Sequence, residues 1–284
     1  SNLQGAATLV GDTTAIMLGS YANMSFLDFF WYKGRPGIFF AVELGALASA
    51  CILAWLFRKE KAPIPQTGER TEVTDYVPTV LLVGMIALLI TASFIPDKPD
   101  VTNGLICVTL FVIGMVYTYL KTRQVSAFTG PIKSIDFETI GLLFGLFLVI
   151  GGITNMGVVD AAANLLAQMG GGNVFVIYTV IVWASVLFSA FIDNIPYVAT
   201  MLPVVTGLAG TLGIDPTLLY FGLLSGATLG GNCTPIGASA NITGIGILRR
   251  AGHEVKTSDF CRIGIPFTLA AIIPAYIYFW VLFR

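Results

Sequence analysis

Gly230-Gly231-Asn232-Cys233-Thr234-Pro235-Ile236-Gly237-Ala238-Ser239-Ala240-Asn241 interrupts an apolar stretch that runs from Thr217 to Leu248. The stretch is long enough to cross a bilayer, since about 20 helical residues span the roughly 30 Å hydrocarbon core. Paired glycines and a proline disfavour a regular helix at its centre. A broken helix frees N–H and C=O groups that lipid cannot satisfy, so they must face protein or a water-filled cavity. Asn232, Thr234, Ser239 and Asn241 add neutral oxygens and amides at the same place. Neutral oxygens with free carbonyls suit a dehydrated Na⁺, and half-helix N-termini suit an anion. Small polar residues also glue helices together, but packing alone does not require Pro235 beside Gly231-Asn232-Cys233-Thr234.

A second copy of the spacing lies near the start of the sequence. Gly5-Ala6-Ala7-Thr8-Leu9-Val10-Gly11 matches Gly231–Gly237 at an offset of 226 residues, and Ile16 matches Ile242 at the same offset. Each copy is followed by an Asp-Phe pair, Asp28-Phe29 and Asp259-Phe260, ahead of a long apolar run. In the first copy Thr8, Asp12, Thr13 and Thr14 supply the polar groups. Asp12 is the first charged residue of the sequence.

Around these breaks the chain reads as polytopic. Of 284 residues, 56% are hydrophobic and 11% charged, against about 25% charged in an ordinary soluble domain. Gly37–Phe57, Val77–Ile95, Val101–Leu120, Phe137–Thr154, Asn173–Ile192 and Ile263–Phe283 are apolar runs of spanning character. Val158–Met169 is short and amphipathic, suited to lie on the membrane surface. If each span crosses once, eleven of the fifteen Lys and Arg residues fall on one side, among them Arg58, Lys121, Arg123, Arg249, Arg250 and Lys256. Lys33, Arg35, Lys98 and Arg284 fall on the other. The positive-inside rule makes the first side cytoplasmic. The two broken stretches then run in opposite directions, the arrangement of an inverted-topology repeat.

Asp193-Asn194-Ile195-Pro196 separates two further apolar arms. If the arms form a re-entrant hairpin, Asp193 lies near the midplane, where a carboxylate costs on the order of 3 kcal/mol and marks a proton or cation site. If both arms span, it lies at the surface as a turn. The spans alone leave both open. Glu43 lies near a helix end and reads as snorkelling; His253, among Arg249, Arg250, Glu254 and Lys256, reads as solvated. Cys51, Cys107, Cys233 and Cys261 have no metal-ligand or redox spacing. With one histidine and no paired nucleophile and base, enzyme chemistry is poorly supported, and a net charge of −1 offers no basic face to nucleic acid.

These residues resemble the ion transporter superfamily, in its citrate-transporter-like domain, and within it the branch of arsenite pump membrane proteins and the melanosomal P protein. The likeness rests on Gly5–Asp12, on Gly230–Asn241, on Asp193–Pro196 followed by Met201-Leu202-Pro203, and on Asp136-Phe137-Glu138-Thr139 with Leu143–Gly152. It implies an all-α integral membrane fold of two inverted repeats, each with broken helices and a re-entrant hairpin. Residues 1–57 would be the end of a truncated first repeat, 58–76 a cytoplasmic linker and 77–284 a complete second repeat. The resemblance places Asp193 and Asn194 at a hairpin tip, Gly231, Asn232, Thr234, Ser239 and Asn241 in the second unwound helix, and Thr8, Asp12 and Thr13 in the first. Asp12-Thr13-Thr14-Ala15 departs from the two prolines and asparagine common in relatives, which leaves the contacts of that half open.

The implied protein is a multi-pass secondary transporter of the cell membrane. It would move an anion or arsenite-like oxyanion by alternating access, coupled to H⁺ or Na⁺, with no other cofactor. Asn194, Asn232 and Thr234 would be the ligands of a Na⁺. A cation/H⁺ antiporter on the same fold and, from another class, a non-transporting membrane subunit or channel are the alternatives. The expected partners are the lipid bilayer, a small inorganic or organic anion, and a second copy in a homodimer.

Overall fold

A computed structural model describes residues 2–59, 74–95, 99, 101–135 and 137–284. The linker expected over 58–76 lies largely outside the described residues, as do Lys98 and Asp136. Among the described residues there are thirteen α-helices and one hairpin of two-residue strands, and four of the helices are long and apolar enough to cross a membrane. The all-α membrane fold is thereby established. The chain forms two compact units, residues 1–24, 28–60 and 143–284 in one, 25–27 and 61–142 in the other.

The smaller unit is built on α4 (Val77–Ser93), α5 (Thr102–Thr122) and α6 (Ser126–Lys133). Asp75 caps α4 by accepting from the Val77 N–H at 2.9 Å. The same carboxylate takes Lys121 Nζ at 2.6 Å and the Tyr117 hydroxyl at 3.2 Å, so the start of α4 is fixed to the end of α5. The outward faces carry Leu105, Val108, Phe111 and Val112, all exposed. Lipid is the solvent that accepts such a surface.

In the larger unit, α1 (Asn2–Gly5) and α2 (Thr13–Tyr21) flank the first break, and α3 (Ile38–Leu56) follows. The helix α11 (Thr217–Gly230), the break and α12 (Ser239–Arg250) repeat this order before α13 (Thr257–Phe283). The helices after the two breaks, α3 and α13, pack antiparallel. Tyr278 donates to the Pro36 carbonyl at 2.9 Å and Ser49 to that of Phe267 at 2.9 Å. Between these ends Gly45 lies against the Ala271 carbonyl, which would stand 2.5 Å from a Cβ there. Equivalent elements running in opposite directions are what the charge partition required of an inverted repeat.

Every residue of α11 is buried. Its Gly222, Gly226 and Gly230 make a groove along one face, since residues four apart stack. Into it fit Tyr178, Val182 and Val186 of α9 (Val174–Ser189); the Val182 and Val186 carbonyls would lie 2.6 and 2.7 Å from a Cβ at Gly226 and Gly230. The rising order on both helices makes α9 and α11 parallel. Close backbone approach over small residues is how helices associate without a hydrophobic drive.

One boundary differs from the sequence expectation. α9 stops at Ser189 after 16 residues, about 24 Å at 1.5 Å per residue, so Asn173–Ile192 is not a full crossing. The amphipathic segment is α8 (Val158–Met169), which turns 71° from the end of α7 (Phe137–Asn155). Gly157 at φ +74° makes that turn, and α8 packs on α10 (Asn194–Leu212) with Val159 and Ala163 buried.

Candidate functional site

The two breaks are one structure built twice. The N-cap residues of α2 and α12, Asp12 and Ala238, stand 226 positions apart and have φ/ψ of −153°/158° and −154°/145°. In the first break a Cβ on Gly11 would lie 2.5 Å from the Gly5 carbonyl oxygen. In the second, a Cβ on Gly237 would lie 2.6 Å from the Gly231 carbonyl oxygen. Contacts this short admit no side chain, so glycine is obligatory at both closures for space rather than for φ. The sequence repeat is therefore a repeat of backbone path.

The turn between α9 and α10 reaches both breaks. Asp193 caps α10, accepting from the Ile195 N–H at 3.4 Å, and its Oδ2 accepts from the Ser239 hydroxyl at 2.9 Å. Asn194, only 5% exposed, points its Nδ2 at Asp12 Oδ2, 3.5 Å away. Neighbouring residues of one turn thus address the two half-helices α12 and α2. α11 contributes about 21 Å before the second break and α12 about 18 Å after it, at 1.5 Å per residue. The turn therefore sits at the level where the broken span is interrupted, as a re-entrant tip would.

Hydrogen bonds close the second break around itself. Thr234 donates its hydroxyl to the Ala190 carbonyl at the end of α9. Asn241 donates to the carbonyls of Gly231 at 2.8 Å and Thr234 at 3.0 Å. Its amide replaces the helical partners that the break removes, the satisfaction that lipid would otherwise deny. In the first break Asp12 Oδ1 accepts from the Thr13 N–H at 2.7 Å. Asp12 Oδ2 accepts from the Thr14 hydroxyl at 3.2 Å, and Thr14 shares a further hydrogen bond at 3.1 Å with Thr228 of α11.

Three helix N-termini, those of α2, α10 and α12, thus converge on one region. Aspartates cap the first two; the N-cap of α12 is Ala238, which offers no side-chain cap. Asn232 is 9% exposed, and its Nδ2 has no hydrogen-bond partner among the described residues. Asn2 Nδ2, beside Gly231, is likewise buried and unpartnered there. Two unspent amide donors and an uncapped N-terminus leave the region able to receive an acceptor.

Asp193, Asn194, Ser239, Asn241, Gly231, Thr234 and Asp12 are all brought into this network. Thr13 enters it only through its N–H. Thr8 contributes its carbonyl, which accepts from the Gly11 N–H at 3.0 Å. Thr228 and the Ala190 carbonyl were not foreseen. Thr228 lies in an apolar run as a small polar residue of the kind that also glues helices, and so gave no distinct signal. A backbone carbonyl at a helix end has none.

The model of the citrate transporter family matches residues 1–226 and 111–284. A 46 kDa membrane protein of Mycobacterium leprae is 33% identical over 289 residues, covering 99% of this chain. An uncharacterized transporter of Mycobacterium bovis is 32% identical over 284 residues. The chain spans 65% of the length of each of these relatives. The P protein of Mus musculus is 34% identical over 165 residues, 56% of this chain and 20% of that protein.

Proposed function

The chain belongs to the citrate transporter family, and from that premise we propose that it carries the binding region of a secondary active transporter. The protein is a multi-pass membrane protein of a transporter family. The substrate we propose is an anion, a citrate-like carboxylate or an arsenite-like oxyanion, moved by alternating access with H⁺ or Na⁺. One observation carries the reading: a single turn, Asp193-Asn194, bonds to the starts of two oppositely directed half-helices. Movement of that turn would loosen both breaks together.

The unspent donors of Asn232 and Asn2 and the uncapped start of α12 favour an anion. Asp12 and Asp193 supply carboxylates that could exchange a proton or help balance a cation. The oxygens of Asn194, Asn232 and Thr234 would be the neutral part of a Na⁺ site. The carboxylates also permit a cation/H⁺ antiporter.

Counterflow of labelled substrate by the full-length protein in liposomes tests the proposal. Asp193→Asn should abolish the ion dependence and Asn232→Ala should weaken substrate uptake. If both variants keep uptake and its ion dependence, the site is elsewhere. Collapse of a pH gradient by Na⁺, with no response to oxyanions or carboxylates, would select the antiporter.

A further inference from the structure

The far end of the larger unit holds a second polar feature, well removed from the breaks. α13 is 27 residues long, about 40 Å. Its start lies by Arg249, Arg250 and Lys256, and its other end stops at a pocket of about 650 Å³. Lys33, Arg35 and Arg284 line that pocket, with one carboxylate, Asp215. Val174, Ile214, Leu218, Trp280 and Phe283 form the rest of its wall with Thr217. Three of the four basic residues that the sequence puts on the non-cytoplasmic side thus gather at one place. The fourth, Lys98, lies outside the described residues.

The gathering is built, not incidental. β1 (Trp31–Tyr32) and β2 (Arg35–Pro36) pair antiparallel, joined by Lys33 and Gly34 alone. Both turn residues have positive φ, +50° and +78°, the two-residue turn that suits the twist of a hairpin. The hairpin holds Lys33 and Arg35 on either side of Gly34. Lys33 Nζ meets Asp215 at 2.5 Å and Thr217 Oγ1 at 3.3 Å. Arg35 donates through Nη1 to the Leu282 carbonyl, closing the end of α13. A guanidinium has five N–H donors and an ammonium three, so both keep donors to spare.

We propose that this pocket binds the phosphate of an anionic phospholipid. Three cationic side chains against one carboxylate leave a net side-chain charge of +2 in the lining, which suits a phosphate monoanion and its neighbouring oxygens. Arginine and lysine are the phosphate-binding cations, arginine through its planar fork. Most of the remaining wall is apolar, and Trp280 and Phe283 occupy the last turn of a spanning helix, the depth where aromatic rings meet headgroups. A free anion has no use for that wall; an acyl chain does. The proposal is independent of what the breaks transport.

Native mass spectrometry of the full-length protein, released from detergent with equal phosphatidylglycerol and phosphatidylcholine, tests it. The protein should retain phosphatidylglycerol in roughly thirtyfold preference, the scale set by two net cations at about 1 kcal/mol each. Arg284→Gln, which removes a cation and leaves the Arg35 clamp, should cut the preference several-fold. The paired change Lys33→Gln with Asp215→Asn removes the ion pair without stranding a charge and should leave the preference from Arg35 and Arg284. Equal retention of both lipids would overturn the proposal. So would loss of bound phosphatidylglycerol on adding millimolar inorganic phosphate, since the pocket would then be a free-anion site.

Discussion

Ser239 donates its hydroxyl hydrogen to Asp193 Oδ2 at 2.9 Å, so the first residue of α12 is tied to the cap of α10 across 46 positions of sequence. The carboxylate serves two ends at once, because it also accepts from the Ile195 N–H. A motion that opens the second break must therefore move the turn or break this bond.

The first prediction separates the charge of Asp193 from its capping role. Asparagine is as good an N-cap as aspartate, so Asp193→Asn should leave α10 and thermal stability nearly unchanged. Counterflow by the full-length protein should lose its dependence on the H⁺ or Na⁺ gradient. Ser239→Ala should cost roughly 1 kcal/mol, the usual worth of one hydrogen bond, and move substrate affinity about fivefold. Intact ion dependence in the Asp193 variant would remove the carboxylate from the coupling.

The glycine closures make a second prediction, with an internal control. Gly11→Ala and Gly237→Ala force a Cβ to about 2.5 Å from a backbone oxygen, and overpacking of this kind costs about 1–3 kcal/mol. Gly84 of α4 faces open space, and alanine there should stabilise by about 0.5–1 kcal/mol. Melting temperatures in detergent should fall for the first two and rise for the third. Similar losses at Gly11 and Gly237 would reflect their shared geometry; a neutral Gly237→Ala would contradict it.

Thr14 and Thr228 give a third, through a double-mutant cycle. Both side chains are fully buried and share one hydrogen bond between helices of different repeats. Thr14→Val alone strands the Thr228 hydroxyl, and an unsatisfied buried group costs about 1–3 kcal/mol. Replacing both by valine removes donor and acceptor together and should be far milder than the sum of the singles. Additive losses would mean the hydroxyls do not depend on each other.

The sequence made the breaks legible because their cause is local. Gly230-Gly231 and Pro235 cannot sustain a helix, and lipid leaves the freed groups one kind of surroundings. The 226-residue offset carried the inverted repeat, and the antiparallel packing of α3 on α13 is its structural counterpart. Other features depended on partners distant in sequence. Whether Asp193 was a turn at the surface or a tip at the breaks could not be read from two apolar arms; its contact with Ser239 is non-local. The Gly222, Gly226 and Gly230 groove was written in the spacing, but nothing in the sequence named α9 as its occupant. The basic pocket joins Lys33 to Asp215 over 182 positions, beyond the reach of any periodicity.

That ion pair supports the last prediction, on pH. Partial burial alone would raise the Asp215 pKa, but the hydrogen bonds from Lys33 and Thr217 outweigh it and hold the carboxyl below its ordinary range. Burial alone would lower the Lys33 pKa, and Asp215 outweighs that, leaving the ammonium above its ordinary value. A depressed carboxyl stabilises the fold above its unfolded pKa, about 3.9, and loses that contribution as pH falls through the folded value. A raised ammonium stabilises fully below its unfolded pKa, about 10.4, and loses the contribution as pH rises through the higher folded value. The pair should therefore contribute evenly from about pH 5 to 9 and fail at either extreme. Both side chains are about half exposed, at 51% and 55%, so salt should weaken the effect. Between pH 5 and 3 the melting temperature of the full-length protein should fall more steeply than that of Asp215→Asn. The gap should shrink in about 1 M salt, where the screening length is near 3 Å. Parallel acid limbs at low salt would show that Lys33 and Asp215 do not stabilise the fold as a pair.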